Sequence, residues 1–174
     1  PLVRYDAFDC LTFLEEVLAL ALGGDPANAA DVRNALRYGG GPIDYVHRRH
    51  FMELQWIPGN IADGWLVDTT TQYGETFELN RTVDEATWRA WRGRANFAMT
   101  DDELPRGVMR LDVLPLDTAL AIADEIRPGS IILTVREDRS WMPIWVSHVS
   151  FVLPRAEEPR MRHTTKMGTG KSRD

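Results

Sequence analysis

Apolar side chains recur at helical spacing near the start of the chain. Leucine, valine and alanine lie on several sides of the segment 11–22, and only two acidic residues interrupt them. Asp9 precedes the segment and suits the N-cap position of a helix, while Gly23 and Gly24 follow it and suit the C-terminal cap. The pattern therefore predicts a largely buried helix that begins at Cys10 and ends at the two glycines.

Proline and glycine punctuation predicts a second helix directly afterwards. It runs from Asp25-Pro26, where proline suits the first helical turn, to the break at Gly39-Gly40-Gly41. The aromatic stretch that follows predicts a short helix over 51–55, a turn at Pro-Gly-Asn and a strand over 65–68. Helical spacing also favours helices over 82–92 and 116–126.

The second half of the chain is richer in strand patterns. Runs of apolar and β-branched residues predict strands over 108–114, 131–135, 146–153 and 161–165. Turn residues separate the last three, which is typical of an antiparallel meander. His148, Ser150 and Val152 are expected on one face of their strand because side chains alternate. Early helices followed by a late meander indicate an α+β fold.

Length and charge limit the classes of function. The 174 residues fit one domain, residues 1–174, and a net charge of −6 argues against a nucleic-acid partner. No apolar run reaches the roughly 18 residues of a membrane span, so stable membrane insertion is not expected. Basic residues do gather at about 155–174, where we expect a last strand and a basic tail. Because the chain starts at Pro1, we expect that the N-terminus was removed or cropped, and the missing signal peptide is no guide to localisation.

Cys10 is the only cysteine, and its place at a helix start favours the thiolate form. Most isolated cysteines are simply buried, but here His148 and His163 follow on predicted strands and could serve a nucleophilic thiol. His47 and His50 are the competing candidates for a base. One cysteine and four scattered histidines lack the spacing of metal ligands, so no metal or other cofactor is expected.

Three segments taken together resemble a known family. FDCLTFLEEVLALAL, RRHFMELQWIPGN and an HVSFV strand followed by MRHTT resemble the N-acetylmuramoyl-L-alanine amidase-like family of the NlpC-type cell-wall cysteine peptidases. The resemblance covers essentially the whole chain and implies a papain-like domain, in which a helix with the cysteine packs on an antiparallel sheet with the catalytic histidine. Helical and aromatic insertions complete the expected fold, and family chains extend beyond both ends of this one.

The resemblance implies roles for individual residues. Cys10 would be the nucleophile, His148 the base, and His163 the residue that orients the base. The backbone N–H of Cys10 would be one oxyanion donor. This chain departs from the family pattern at three places, none of which removes a reacting group: Ser150 replaces glycine, Thr164-Thr165 replaces Ala-Ser, and Ser130 replaces aspartate.

The implied substrate is peptidoglycan or a soluble muropeptide, in the bacterial periplasm or envelope or after secretion. The expected reaction is N-acetylmuramoyl-L-alanine amidase activity. The open alternatives are a stem-peptide endopeptidase, a non-catalytic binding protein of the same fold and a toxin-like effector amidase delivered between bacteria. Aromatic insertions predict a narrow cleft that prefers soluble fragments. The candidate substrate-binding residues are Tyr5, His50, Trp56 and Asn60.

Overall fold

Five α-helices and six β-strands make up the part of the chain that the structure describes. The structure is a computed structural model, and it describes residues 7–154, 160–164 and 172–173. The helices are α1 (Cys10–Gly23), α2 (Pro26–Tyr38), α3 (Ile57–Ala62), α4 (Glu85–Ala90) and α5 (Leu116–Ala121), with a π-helical turn over Met52–Trp56 before α3. The strands are β1 (Phe77–Val83), β2 (Gly107–Val113), β3 (Ile131–Val135), β4 (Val146–Val152), β5 (Met161–Thr164) and β6 (Ser172–Arg173).

Helix α1 begins and ends as its sequence predicts. Asp9 is the N-cap: its carboxylate accepts a hydrogen bond from Thr12 N at 2.7 Å, and the Thr12 hydroxyl accepts one from Asp9 N at 3.0 Å. Gly24 closes the other end with φ of 75°, a left-handed conformation that glycine adopts without a Cβ penalty. These reciprocal bonds fix Cys10 as the first residue of the helix.

Helix α1 packs against α2 and is buried on more than one side. Its two acidic residues lie inside that contact. Glu15 Oε2 accepts from Arg37 Nε at 2.5 Å, and Glu16 lies 3.1 Å from Arg33 Nη1. All four side chains are at least nine-tenths buried. Their burial is tolerated because each charged group has an ionic partner.

Two antiparallel sheets follow. β1 pairs with β2 in a separate ribbon, and the larger sheet has the order β3-β4-β5-β6. The predicted meander of β3, β4 and β5 is therefore confirmed. Helix α1 packs against β4 and β5, where Phe13 meets Phe151 edge to face with ring centroids 6.5 Å apart. The mixed α+β architecture is as predicted.

The hydrophobic core joins the helical half to the larger sheet. Trp56, Trp88 and Trp145 are almost completely buried in it, together with Leu14 from α1 and Val149 from β4. The aromatic residues therefore act mainly as core, as their usual burial suggests. No helix among the described residues is long and apolar enough to cross a bilayer.

Several predicted elements differ from the structure. Residues 51–55 lie mostly in the π-helical turn, and the Pro-Gly-Asn sequence continues into α3 instead of turning, since Pro58 fits the first turn of a helix. The strand predicted over 65–68 is absent there; Trp65 N and Leu66 N instead bond to Asn60 O. The predicted helix over 82–92 is partly strand β1 and partly α4, and the helix over 116–126 ends at Ala121.

Candidate active site

Cys10 lies at the N-terminal end of α1. Its side chain is partly exposed and partly packed against the core. The N–H groups of a first helical turn have no intrahelical acceptor and point toward the end of the helix. The thiol therefore lies beside backbone donors and the positive end of the helix dipole.

His148 and His163 form a direct side-chain pair. His148 Nε2 lies 2.8 Å from His163 Nδ1, and both rings are partly buried. The strand register explains the contact: Phe151 pairs with Arg162 and Val152 with Met161, so Ser150 follows opposite His163. Residues 148 and 163 are then diagonal neighbours on one face, within reach of long side chains.

The surroundings of His148 favour its neutral form. Burial lowers the pKa of His148 below its ordinary value of 6.5, and the positive charge of a protonated His163 lowers it further. The contact with His163 engages Nε2. A neutral His148 ring that donates its Nε2 proton to the Nδ1 lone pair of a neutral His163 keeps a lone pair on its own Nδ1, which is what a general base requires.

The structure brings the helix of Cys10 against the strands of the two histidines, since α1 packs on both β4 and β5. Among the residues that the structure describes, Cys10 Sγ makes no hydrogen bond to His148. The predicted catalytic residues are therefore on packed elements, and the histidines are the two that are in contact.

Two predicted substrate-binding residues have structural roles instead. Trp56 and Asn60 are both 0% exposed. The Trp56 indole donates to Glu15 Oε1 at 3.1 Å, and Asn60 Nδ2 donates to Leu36 O and Trp56 O at 3.2 and 2.8 Å. A substrate cannot touch side chains that are sealed in this way, so these two assignments are corrected. The predicted residue Tyr5 lies outside the described residues.

The remaining candidate histidines have other contacts. His50 is partly buried, with Nε2 2.5 Å from Tyr45 O, and burial lowers its pKa. Its ring packs against Tyr45 and Phe97. His47 Nδ1 lies 2.8 Å from the Asp44 carboxylate at the exposed surface. Neither contact involves a thiol, and the described residues include no cluster of three potential metal ligands.

Glu53 is a buried carboxylate that the sequence does not single out. Its Oε1 accepts from Trp145 N at 2.5 Å and from Val146 N at 2.6 Å, at the start of the strand that carries His148. Desolvation raises the pKa of Glu53, and the two N–H groups partly oppose this shift. The only sign of this role in the sequence was an acidic residue within the aromatic segment. The hydrogen-bond partners of Glu53 lie more than 90 residues away.

Several solved structures share the fold of this chain. A Legionella pneumophila protein of the family DUF1460 superposes with a TM-score of 0.80 at 20% identity, covering 100% of this chain and 70% of that chain. An N-acetylmuramoyl-L-alanine amidase from Bacteroides uniformis gives 0.64 at 20% identity, covering 97% of this chain and 74% of that one. A putative xylanase from Bacteroides fragilis gives 0.62 at 22% identity, covering 98% and 78%.

At these identities the structural matches establish the fold alone. No curated protein sequence matches the chain significantly. The model of one family, described as N-acetylmuramoyl-L-alanine amidase-like, matches residues 1–171. That match supports an amidase-like function directed at peptidoglycan. The chain therefore belongs to the N-acetylmuramoyl-L-alanine amidase-like family.

Proposed function

We propose that this protein is a cysteine amidase that hydrolyses the bond between N-acetylmuramic acid and L-alanine in peptidoglycan or its fragments. The observation that carries the proposal is the 2.8 Å contact between His148 Nε2 and His163 Nδ1. It lies on strands against which the Cys10 helix packs. Family membership supports the amide as substrate. The order of cysteine helix, histidine strand and second histidine supports an NlpC-type, papain-like assignment.

The first half of the reaction makes an acyl-enzyme. His148 Nδ1 takes the thiol proton of Cys10, and the sulfur attacks the lactyl carbonyl carbon of the muramic acid. The backbone N–H of Cys10 donates to the oxyanion, and one such donor lowers a barrier by about 3–4 kcal/mol in a comparable hydrolase. His148 then gives its proton to the amine of L-alanine, the C–N bond breaks, and a thioester remains.

Water completes the reaction. His148, neutral again after the amine leaves, takes a proton from a water molecule that attacks the thioester carbonyl. The thioester C–S bond breaks, the product leaves as a carboxylic acid, and Cys10 recovers its proton. His163 holds the His148 ring by its Nε2 side throughout, so the same nitrogen faces the thiol in both halves.

Mass spectrometry of muropeptide digests tests this proposal. Purified disaccharide-peptides are incubated with the protein and with the C10A variant as control. We expect free stem peptides and peptide-free disaccharide from the wild type only. Shortened stem peptides that remain on the sugar would instead identify a stem-peptide endopeptidase. Unchanged muropeptides would point to a binding protein of this fold.

The preferred substrate and the site of action follow from the charge of the chain and from its family. Since the chain carries a net charge of −6 and the wall polymer is anionic, long-range attraction to intact sacculi is weak. We infer a preference for soluble fragments and action outside the cytoplasm, as befits a cell-wall family. Release from insoluble sacculi that equals turnover of soluble disaccharide-peptides would contradict the substrate preference.

A further inference from the structure

Strand β4 contains a β-bulge immediately before His148. Thr134 pairs with His148, but the next residue of β3, Val135, pairs with Val146, so Ser147 is an extra residue. The Ser147 hydroxyl donates to Thr134 O at 3.0 Å and stabilises the irregular pairing. Bulges bend a strand and change the direction in which a side chain points.

The bulge allows two valines of β4 to be buried in the same core. Val146 and Val149 both lie in the hydrophobic core, with 8% and 3% of their surface exposed. Residues three apart in a regular strand lie on opposite faces, so a regular β4 could not bury both valines in one core. The extra residue allows both to be buried while His148 remains in contact with His163. A slip of one residue would turn His148 away from that partner.

Glu53 holds the strand at this point. Its Oε1 accepts from the N–H groups of Trp145 and Val146, directly before the bulged residue. The side chain is 3% exposed, and its second oxygen has no hydrogen-bond partner among the residues that the structure describes. Burying a carboxylate is costly, and these two bonds at the base of β4 partly offset that cost.

The turn that supplies Glu53 also contacts the helix of Cys10. Within Met52–Trp56, Glu53 bonds to the start of β4, and Trp56 donates to Glu15 of α1 at 3.1 Å. One π-helical turn therefore links the helix of the proposed nucleophile to the strand of the proposed base. Single π-turns are frequent at functional sites.

We propose that Glu53 is a positioning residue for the active site: its carboxylate fixes the bulge at Ser147 and so directs the His148 imidazole toward His163. The inference rests on the proposed function for its effect on catalysis, but not for its effect on the histidine pair. Glu53 touches neither substrate nor thiol in this assignment, and it acts only through the backbone of β4.

Histidine NMR of the whole chain tests the inference directly. With four histidines in the sequence, selective labelling gives a simple spectrum, and H148Q and H163N identify two signals. The methionine of E53M offers no acceptor for the two N–H groups. In this variant we expect the pKa of His148 to rise toward 6.5, and the His148 signals should no longer depend on His163. In E53Q the amide oxygen can accept both N–H groups, so the wild-type titration should return.

Activity supplies the second measurement. We expect kcat of E53M to fall by about 100-fold, the loss that a small misplacement of reacting groups produces, with KM nearly unchanged. E53Q should recover most of kcat. If E53M does not fold, S147A provides a second variant. It removes the hydrogen bond to Thr134 O at an exposed site, and it should raise the pKa of His148 by less than is expected for E53M.

A His148 titration that is identical in wild type, E53M and S147A would overturn the inference. So would an E53Q variant as defective as E53M, because the acceptor oxygen would then not be the cause. Wild-type protein that cleaves no muropeptide would contradict the proposed function instead, and the NMR comparison would still decide the role of Glu53.

Discussion

His148 and His163 meet edge to face, with ring centroids 4.8 Å apart and ring planes at 85°. Two positive charges at this distance repel, so the pair favours states in which at most one ring is protonated. Burial and then the charge of His163 lower the pKa of His148 below its ordinary value.

Replacing His163 with asparagine should shift the pH dependence of activity. The H163N variant removes the positive neighbour but keeps a polar group for Nε2. Since His163 lowers the pKa of His148, its loss should raise that pKa. The acidic limb of the kcat/KM profile should therefore move to higher pH, measured between about pH 5 and 8. An acidic limb at the wild-type position would show that His163 does not affect the ionisation of the base.

Replacing Cys10 with alanine should abolish hydrolysis and leave the fold intact, because it removes the proposed nucleophile and only a small side chain. Turnover of muropeptides and near-UV circular dichroism measure the two effects. T12A is the matched control: it loses the bond between the hydroxyl and Asp9 N, which should cost about 1 kcal/mol of stability while activity remains. Hydrolysis by C10A would refute the nucleophile assignment.

Replacing Gly59 with alanine should destabilise the protein, the opposite of the usual effect of this substitution in a helix. Alanine in place of glycine normally stabilises a helix by about 0.5–1 kcal/mol. Here a Cβ would lie 2.6 Å from Arg49 Cζ, whose guanidinium bonds to Asn60 Oδ1 and Asp63 Oδ2 at 3.0 and 2.6 Å. We expect G59A to lower the free energy of unfolding by about 1–3 kcal/mol in urea titrations.

The double variant provides the control for this prediction. In an R49A background the Cβ has no guanidinium to displace, so G59A should be neutral or stabilising there. Equal losses in both backgrounds would mean that the guanidinium contact is not the cause.

Trp56 should matter for stability and not for substrate affinity. W56F keeps an aromatic ring but removes the N–H that donates to buried Glu15. Glu15 keeps its bonds to Arg37 and Arg48, so we expect a loss of about 1–3 kcal/mol in the free energy of unfolding. KM for muropeptides should stay at the wild-type value; a large increase would restore Trp56 to the substrate site.

Features with local causes were predictable. The Asp9 cap, the Gly24 terminus, the start of α2 at Pro26 and the strand that carries His148 each depend on a few neighbouring residues. Such signals need no knowledge of the rest of the fold. The family resemblance also placed Cys10 and the two histidines on the elements where the structure has them.

Features with distant causes were not predictable. Strand β1 was missed because Arg81 interrupts its apolar alternation. The Arg81 side chain instead donates to Arg139 O and Met142 O, which lie 58 and 61 residues away. The bulge at Ser147 depends on Glu53, which precedes it by more than 90 residues. The burial of Asn60 depends on α2, so its polarity suggested a surface role that the fold does not allow.

The long sequence separation between Glu53 and its partners has a consequence for the newly made chain. Translation at about 5–20 residues per second adds Cys10 to the chain roughly 7–30 seconds before His148. Until then the backbone acceptors and donors around residue 145 do not exist, and Glu53 has nothing to bind. During that interval the thiol lacks the proposed base His148 and the sheet on which α1 packs, and it is exposed to oxidation. The chain should therefore benefit from reducing conditions or chaperone cover until β4 has been made.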